Sequence, residues 1–384
     1  MLKALCLRTP NWIHFGLGSV QKVAAEVKRL GGKQVMVITD QGIVNSGILE
    51  RVTEPLASAG IKYGVFDQVE PEPSLKTLQQ ASQIAKENKY DVFIGLGGGS
   101  SMDTTKMVSA LMTNDGKLQD FFGVDNVKNR GLPTIMITTT SGTGSEVSRM
   151  AVFTDKEANL KKVVSAQNIL ADVAIVDPEL THSLPPHVTA ATGIDAFIHA
   201  LEGYIAVNAN PITDTMALEA IRLISTAIGP AFAGKDMEAR YNMSLGSLMG
   251  GIVLNNAGAG MIHALAYPIG AEYHLSHGKA LMPIFAESLR EMSVSNLQKF
   301  TNTGIAMGLN IKHLSPFEAA DTAIDGMVQL AARVKLPTSL SEINADRSKI
   351  QEWAKAAHGE KRLLGNTPCQ LTLEDVEGIF ERSF

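Results

Sequence analysis

The chain has 384 residues, of which 45% are hydrophobic and 19% are charged, and its formal net charge is −5. This length predicts roughly two to three domains, because a domain commonly contains about 150 residues. The net charge is negative and the sequence contains no block of basic residues. We therefore do not expect nucleic acid or anionic membranes to be partners.

Cysteine content and the first residues indicate the cellular compartment. The two cysteines, Cys6 and Cys369, stand at opposite ends of the sequence, which excludes a disulfide framework and favours a reducing compartment. The first ten residues contain Arg8 and Pro10 and no long apolar run, so we expect no signal peptide. No stretch reaches about 18 uninterrupted apolar residues, so we expect no transmembrane helix. These features predict a cytoplasmic protein.

Strand and helix patterns alternate in the first half of the chain. Residues 34–40 and 91–96 are apolar segments of strand length, and residues 74–88 between them have the spacing of an amphipathic helix. Two further strand-like segments occupy residues 133–139 and 171–177. Strands that alternate with helices predict a parallel sheet with helices on both faces.

The pattern changes near Pro178. Strand patterns are then nearly absent, and helical spacing covers residues 189–206, 214–229, 240–266, 316–334 and 372–383, with a helix break expected at residues 268–270. The sequence therefore predicts an α/β amino-terminal domain over residues 1–182, followed by an all-helical carboxyl-terminal domain over residues 183–384.

A glycine run follows the predicted strand 91–96 directly. It comprises Gly97, Gly98 and Gly99, and a helical pattern begins at Ser100 and continues through Asp103. Glycines let a backbone approach a pyrophosphate closely, and the N–H groups and positive end of the helix favour its charge. The order differs from G-x-G-x-x-G, and a tight structural turn is the alternative interpretation.

A second turn of small residues follows the segment 133–139. It offers hydroxyl groups and exposed amides at Thr139, Thr140, Thr143, Gly144 and Ser145. Two such turns at the carboxyl ends of parallel strands fit the crevice in which open α/β sheets bind ligands. The first domain is therefore predicted to bind a dinucleotide.

Asp40 stands at the end of its own predicted strand, and its charge distinguishes between the two common dinucleotides. Its carboxylate could accept hydrogen bonds from an adenosine ribose and would repel a 2′-phosphate. This predicts NAD(H) rather than NADP(H). A helix cap or a turn is the alternative role of Asp40.

Histidines and one carboxylate cluster in the second half of the chain. Asp195 and His199 stand four residues apart in a helical pattern and so share a face, and His263 ends another long helical pattern. One carboxylate with several imidazoles suits a divalent transition metal. A half-buried, hydrogen-bonded side chain is the alternative for each histidine, and spacing leaves both His274 and His277 as candidates.

These motifs together resemble the iron-containing, or group III, alcohol dehydrogenases, and the resemblance covers essentially the whole chain. It begins at residues 15–18 and ends at residues 364–368. The matching residues between these segments are 97–100 with Asp103, 142–146, Asp177-Pro178, 193–196 with His199, Pro211 with Asp214, 256–258, 263–266 and His277-Gly278.

The resemblance implies a metal centre and an NAD(H) site. The metal ligands it implies are Asp195, His199, His263 and His277. Fe2+ is the expected ion, and Zn2+ or Mn2+ are alternatives. The cofactor residues it implies are Asp40, those of the two small-residue turns, and Lys162, for which a solvated pair with Lys161 is the alternative.

The resemblance also implies an activity. The metal would act as a Lewis acid on the oxygen of a small primary or secondary alcohol, or of the matching aldehyde or ketone, while hydride passes to or from NAD(H). Relatives often carry histidine where this chain has Tyr267, beside the substrate, which leaves the proton route open. Arg149 or Arg362 could recognise an anionic substrate tail, although surface or cofactor-side arginines are the simpler interpretation.

Two other functions fit parts of the pattern. A polyol dehydrogenase of the glycerol type, or a metal lyase like the dehydroquinate synthases, typically uses three protein ligands, so His199 argues against both. A nucleotide-binding scaffold without activity would not need the full ligand set. The expected partners are a small-molecule substrate and further copies of the chain, as a homodimer or higher oligomer.

Overall fold

The structure is a computed structural model that describes residues 4–155, 160–234 and 236–384. The chain forms two compact units. One extends from Arg8 to Ser183, and the main part of the other from Leu184 to Phe384.

A six-stranded parallel sheet forms the centre of the first unit, in the order β1-β9-β6-β4-β2-β3. Its strands are β1 (Trp12–Phe15), β2 (Gln34–Ile38), β3 (Lys62–Phe66), β4 (Val92–Gly97), β6 (Thr134–Thr138) and β9 (Val173–Val176). A smaller sheet, in the order β5-β8-β7, contains β5 (Gly123–Val124), β7 (Met150–Asp155) and β8 (Leu160–Ser165). The predicted parallel sheet is confirmed, and the four predicted strands correspond to β2, β4, β6 and β9.

Helices pack on both faces of the larger sheet. They are α1 (Val23–Arg29), α2 (Gln41–Asn45), α3 (Ile48–Ser58), α4 (Leu75–Asn88) and α5 (Gly99–Leu111). Alternate residues of β2 enter different cores, because Val35 and Val37 belong to one apolar cluster while Met36 and Ile38 belong to the other. This double burial explains why the central strands are continuous apolar runs.

The edge strands β1 and β3 were not predicted. They are short, and most of their residues are exposed or only half-buried. An edge strand therefore lacks the continuous apolar run by which the central strands were found. The hairpin β7–β8 was missed as well.

The sheet order reverses between β2 and β4. The chain leaves β2 toward β3 on one side, and later leaves β4 toward β6 on the other. The carboxyl ends of β2 and β4 therefore flank the crevice in which open α/β sheets usually bind ligands.

The second unit is helical, and no strand occurs in residues 184–234 and 236–384. Its helices are α6 (Pro186–Ile205), α7 (Pro211–Ala233), α8 (Met237–Ala257), α9 (Met261–Glu272), α10 (His277–Leu281), α11 (Phe285–Ser293), α12 (Leu297–Ala306), α13 (Pro316–Arg333), α14 (Ile350–Gly359), α15 (Lys361–Leu364) and α16 (Leu373–Arg382). The predicted helical segments correspond to α6, α7, α13, α16 and the α8–α9 region.

Local capping explains where several of these helices begin. The Asn210 side chain accepts hydrogen bonds from the N–H groups of Ile212 and Thr213, and Pro211 occupies the first position of α7. Ser315 and Pro316 start α13 in the same way.

The prediction of one helical segment over residues 240–266 with a break at 268–270 was wrong. The helix ends at Ala257, where Gly258 has the left-handed φ of 83°. The next helix starts at Met261 and passes through Pro268, and the two helices meet at a bend of 105°. Apolar spacing continues across the bend, which hid it in the sequence.

One helix, α7, is long and apolar enough to cross a membrane by length and composition, and the bent pair α8–α9 is a second candidate. In this fold α7 packs against α6 and α8, and 44% of its most apolar window is buried. Its charged residues include Asp214, Glu219 and Arg222.

Candidate metal centre and nucleotide-binding turns

Helix α6 carries two of the predicted ligands on one buried face. Asp195 and His199 stand one turn apart, and their side chains are only 3% and 5% exposed. Both belong to an almost continuous buried stretch of α6 that packs against α7 and α8. The helix is buried because it is apolar nearly all round, and the two ligands are exceptions within it.

His263 and His277 reach the same point from other helices. His263 lies in the first turn of α9, and His277 is the first residue of α10. A Cβ atom on the adjacent Gly278 would lie 1.9 Å from the carbonyl oxygen of Ala191 in α6. Only glycine therefore allows α10 to approach α6 this closely.

The four side chains converge on one carboxylate oxygen. The Nε2 atoms of His199, His263 and His277 lie 3.4, 3.7 and 3.6 Å from Oδ1 of Asp195. All four candidate ligand atoms lie within 4.8 Å of one another. His274 has a left-handed backbone and is exposed outside this group, so the structure brings together the set that contains His277.

The donor set fits a divalent metal ion. The N–O separations exceed hydrogen-bond length, and Asp195 Oδ1 and His263 Nε2 are buried with no hydrogen-bond partner among the described residues. Four donors at ~2.1 Å from a tetrahedral ion would lie about 3.4 Å apart, close to the separations observed. Buried polar atoms without partners are costly, so their alignment toward one point indicates a cation there.

The electrostatics favour positive charge at the same point. Burial by itself would raise the pKa of Asp195, but the imidazoles of His199, His277 and His263 lower it well below its usual range. Burial would lower the pKa of His263, but the carboxylates of Glu202 and Asp195 raise it to about 9. Both shifts have the same cause, which is attraction between the buried carboxylates and positive charge beside them.

Glu202 was not predicted from the sequence. Its Oε2 lies 2.5 Å from Nδ1 of His263, and its Oε1 accepts a hydrogen bond of 2.7 Å from the N–H of Ile262. In the neutral imidazole this contact favours the proton on Nδ1, which would leave the Nε2 lone pair for a metal. A signal was present, since Asp195, His199 and Glu202 follow the i, i+4, i+7 spacing of one helical face.

Tyr267 lies on the next turn of α9 after His263. Its ring is tilted against that of His277, with 6.5 Å between centroids. Burial raises the pKa of Tyr267 to about 12. The phenol therefore stays protonated at neutral pH.

The two small-residue turns lie side by side in the first unit. Gly97 ends β4, and α5 begins at Gly99, so that Ser100 lies in its first turn. The N–H of Thr139 donates to the carbonyl of Gly97 over 3.0 Å. Thr140 and Thr143 face Gly98 and Gly99, at 3.5 and 3.1 Å from the positions that Cβ atoms would take there.

A buried polar network fixes the second turn against α5. Asp103 accepts hydrogen bonds from the Ser145 hydroxyl (2.6 Å) and the Val152 N–H (2.9 Å). Lys106, which was not predicted, is fully buried and donates to Ser145 Oγ and to the Met150 carbonyl, each over 2.7 Å. The side chains of Asp103 and Ser145 are thus engaged within the protein.

Asp40 caps a helix and also lies at the end of β2, beside the first small-residue turn. It caps α2 by accepting a hydrogen bond of 3.1 Å from the Ile43 N–H. Its other oxygen lies 3.5 Å from the Ser101 hydroxyl, next to Gly97 at the end of β4. Asp40 therefore lies at the crevice between β2 and β4 even though it caps α2.

Lys161 and Lys162 are not a solvated pair. Both belong to β8, where successive side chains point to opposite faces. Lys161 forms an ion pair of 2.7 Å with Glu72, and Lys162 lies opposite Phe153 of β7. Lys162 is half-buried on the other face.

The two candidate arginines differ in their surroundings. Arg149 lies 3.6 Å from the carboxylate of Asp125 in the first unit. Arg362 is exposed in α15, and its charge lowers the pKa of Tyr267 against the effect of burial.

Known proteins resemble the chain over its full length. Residues 10–178 match the profile described as iron-containing alcohol dehydrogenase, and residues 189–384 match the carboxyl-terminal profile of the Fe-containing alcohol dehydrogenase family. Long-chain-alcohol dehydrogenase 1 of Geobacillus thermodenitrificans is 40% identical over 382 residues, covering 98% of this chain and 95% of that protein.

Solved structures agree with these matches. A crystal structure of 1,3-propanediol oxidoreductase has a TM-score of 0.97 and 32% identity, and covers 100% of both chains. The structure of sulfoacetaldehyde reductase from Bifidobacterium kashiwanohense in complex with NAD+ has a TM-score of 0.88 and 25% identity, covering 100% of this chain and 98% of that chain.

The contact between Glu202 and His263 generates a prediction. Glu202→Gln keeps the size of the side chain but removes its negative charge, and it leaves one acceptor oxygen for the two contacts with His263 and Ile262. We expect affinity for a divalent metal to fall by about 10–100-fold, as for other groups that orient ligands. Chelator competition measures this. Glu219→Gln of α7, at a half-buried position outside the metal-ligand cluster, is the matched control. Unchanged metal affinity in Glu202→Gln would contradict the assignment.

Proposed function

Because the chain belongs to the iron-containing alcohol dehydrogenase family, we propose that it interconverts a small primary or secondary alcohol and the corresponding aldehyde or ketone, using NAD(H) and one divalent metal ion. The observation that carries the proposal is the convergence of three imidazoles on the buried Asp195 carboxylate. Such a donor set suits a Lewis-acid metal and has no use in a nucleotide-binding scaffold.

The proposed metal ligands are Asp195, His199, His263 and His277, in the unit at residues 183–384. Fe2+ is the expected ion by family, with Zn2+ or Mn2+ as alternatives. The set is supported by the short separations of the donors and by the unpartnered atoms of Asp195 and His263. A fourth protein ligand, His199, favours this activity over the polyol dehydrogenase and lyase alternatives.

The proposed NAD(H) site lies in the unit at residues 1–182. Backbone amides of residues 97–100 and 139–145 would bind the pyrophosphate, and Asp40 would accept hydrogen bonds from the adenosine ribose. Lys162 would add positive charge from the smaller sheet. Asp103 and Ser145 would act by fixing the second turn, since their side chains already bond to each other.

The chemistry divides between the bound groups and the protein. A metal held by the four candidate ligands would polarise the substrate oxygen, and NAD(H) would carry the hydride. Glu202 keeps His263 in the tautomer that presents Nε2. Tyr267 retains its proton at neutral pH, so we propose that it shapes the substrate pocket and does not exchange the proton.

The substrate class can be narrowed by chain length and tail charge. Proteins similar to this chain are named for long-chain alcohols, for 1,3-propanediol and for sulfoacetaldehyde. A polar or anionic tail is a second candidate, supported by the position of Arg362 near Tyr267. Metal analysis together with NADH absorbance assays on neutral and anionic aldehydes of increasing length tests the proposal and identifies the class.

The cellular setting is proposed on simpler grounds. Both described cysteines are free, which suits a reducing compartment, and we propose a cytoplasmic location. We also propose a homodimer or higher homo-oligomer. Light scattering on the purified protein measures the oligomeric state.

The first test of the metal site is His263→Ala. Removing one of four ligands opens the coordination, so we expect loss of the bound metal and of turnover together. Metal content and NADH-linked activity are measured on the same sample. His274→Ala removes an exposed histidine outside the cluster and should keep both. Full occupancy and turnover in His263→Ala would contradict the assignment.

The cofactor preference is tested at Asp40. The wild type should prefer NAD(H), and Asp40→Gly should relax the preference toward NADP(H), because the repulsion of a 2′-phosphate is lost. Asp40→Asn separates charge from capping, since asparagine also caps helices, and should relax the preference as well. Steady-state kcat/KM for both cofactors gives the result. Equal use of NADPH and NADH by the wild type would contradict this role of Asp40.

Tyr267→Phe tests the proton route. A phenol that only shapes the pocket can lose its hydroxyl with a decrease in turnover of less than about tenfold, whereas a general acid–base group would cost ~10²-fold or more. We also expect a changed preference among aldehydes. Turnover is measured against pH on two aldehydes of different size. A large, substrate-independent decrease with the metal still bound would show that Tyr267 transfers the proton.

A further inference from the structure

Asn366 joins three segments of the helical unit. Its Nδ2 donates hydrogen bonds to the carbonyls of Ala257 (2.8 Å) and Ala259 (2.9 Å), on the two sides of Gly258. Its Oδ1 accepts from the side chain of Asn208 (2.9 Å) and from that residue's N–H (3.3 Å). The residue is only 7% exposed, and every donor and acceptor of its amide is used.

The backbone of Asn366 strengthens the same connection. Its carbonyl accepts a hydrogen bond of 2.9 Å from the N–H of Val207. Residues 207 and 208 follow directly after the end of α6, whereas residues 257–260 connect α8 to α9. Asn366 therefore ties the chain just beyond α6 to the turn just before α9.

These two helices carry the groups that must face each other at the metal centre. Asp195, His199 and Glu202 lie on α6, and His263 lies in the first turn of α9. The N–H of Ile262 already bonds to Glu202. A shift of the turn before α9 would therefore move both His263 and the group that orients it.

The turn is shaped for the asparagine. Gly258 has a φ of 83°, and a Cβ atom there would lie 2.8 Å from Nδ2 of Asn366. At Gly260, a Cβ atom would lie 3.2 Å from the hydroxyl oxygen of Thr367 and 3.3 Å from Oε1 of Glu202. The segment at Asn366, the turn and Glu202 are thus in direct contact.

We propose that Asn366 is a positioning residue of the metal centre, which sets the placement of His263 relative to Asp195 and His199 by clamping the α8–α9 turn. The inference rests on the proposed metal-binding function of the four ligands. The clamp requires an amide, because two carbonyl oxygens need two N–H donors. Aspartate has nearly the same shape but would place a carboxylate oxygen against both carbonyls.

The experiment compares Asn366→Asp and Asn366→Ala with Asn208→Ala. The control variant removes one partner of Oδ1 and leaves both bonds to the turn intact. For each metal-stripped protein, Zn2+ and Fe2+ affinities are measured by chelator competition, NAD+ affinity by fluorescence titration, and thermal unfolding in the absence of metal.

We expect Asn366→Asp to lower metal affinity by about tenfold or more, in the range found for other groups that orient ligands. Asn366→Ala should lower it in the same direction, and Asn208→Ala should stay close to the wild type. NAD+ affinity should be unchanged in all three. If Asn366→Asp does not fold, Asn366→Ala decides the question.

Two results would overturn the proposal. One is wild-type metal affinity in a folded Asn366 variant, which would leave the metal assignment itself intact. The other is loss of NAD+ affinity and metal-free stability in parallel with metal affinity, which would indicate a general structural role. Failure of the wild type to bind a metal would instead refute the proposed function.

Discussion

The burial of the Asp195 carboxylate is the constraint on which the second unit depends. Removing an ionised carboxylate from water costs on the order of several kcal/mol unless positive charge and hydrogen bonds replace the lost solvation. Oδ1 of Asp195 faces three imidazole nitrogens at 3.4–3.7 Å but has no hydrogen-bond partner among the described residues. Imidazoles supply full charge only when protonated, and three protonated rings around one oxygen would repel one another. A bound divalent cation meets the same requirement without crowding, which explains why a helix as apolar as α6 keeps an acid at its centre.

Such a site can form only if separate elements approach α6 closely and then stay in register. Gly278 permits the approach of α10, since any side chain would collide with the carbonyl of Ala191. Glu202 holds the start of α9 through two hydrogen bonds, to the ring of His263 and to the backbone of Ile262. The four candidate ligands thus depend on neighbours outside their own cluster. This is why the placement of helix ends, more than the identity of the ligands, sets the geometry of the centre.

The features predicted from the sequence are those whose cause is local. Continuous apolar runs indicated the central strands, and glycines after a strand indicated the turns. The choice between His274 and His277 could not be made from spacing, because it depends on the contact of Gly278 with α6. Lys106 acts on partners 39 and 44 residues away, and Asn366 on partners 107 and 109 residues away. No periodicity links positions so distant, and their roles emerge only when the chain is folded.

The two small-residue turns of the first unit show the same separation between residues proposed to contact a ligand and residues that support them. The Ser145 hydroxyl donates a hydrogen bond to Asp103. The buried ammonium group of Lys106 donates hydrogen bonds to Ser145 and to the backbone carbonyl of Met150. Burial also raises the pKa of Glu146 in this turn to about 7, although the charge of Lys106 opposes the shift. A carboxyl with that pKa carries only part of its negative charge at neutral pH, which lessens repulsion of an anionic ligand. In the proposed NAD(H) site, the groups left to contact the pyrophosphate would be the backbone amides at the start of α5, whose partial positive charge depends on no titration.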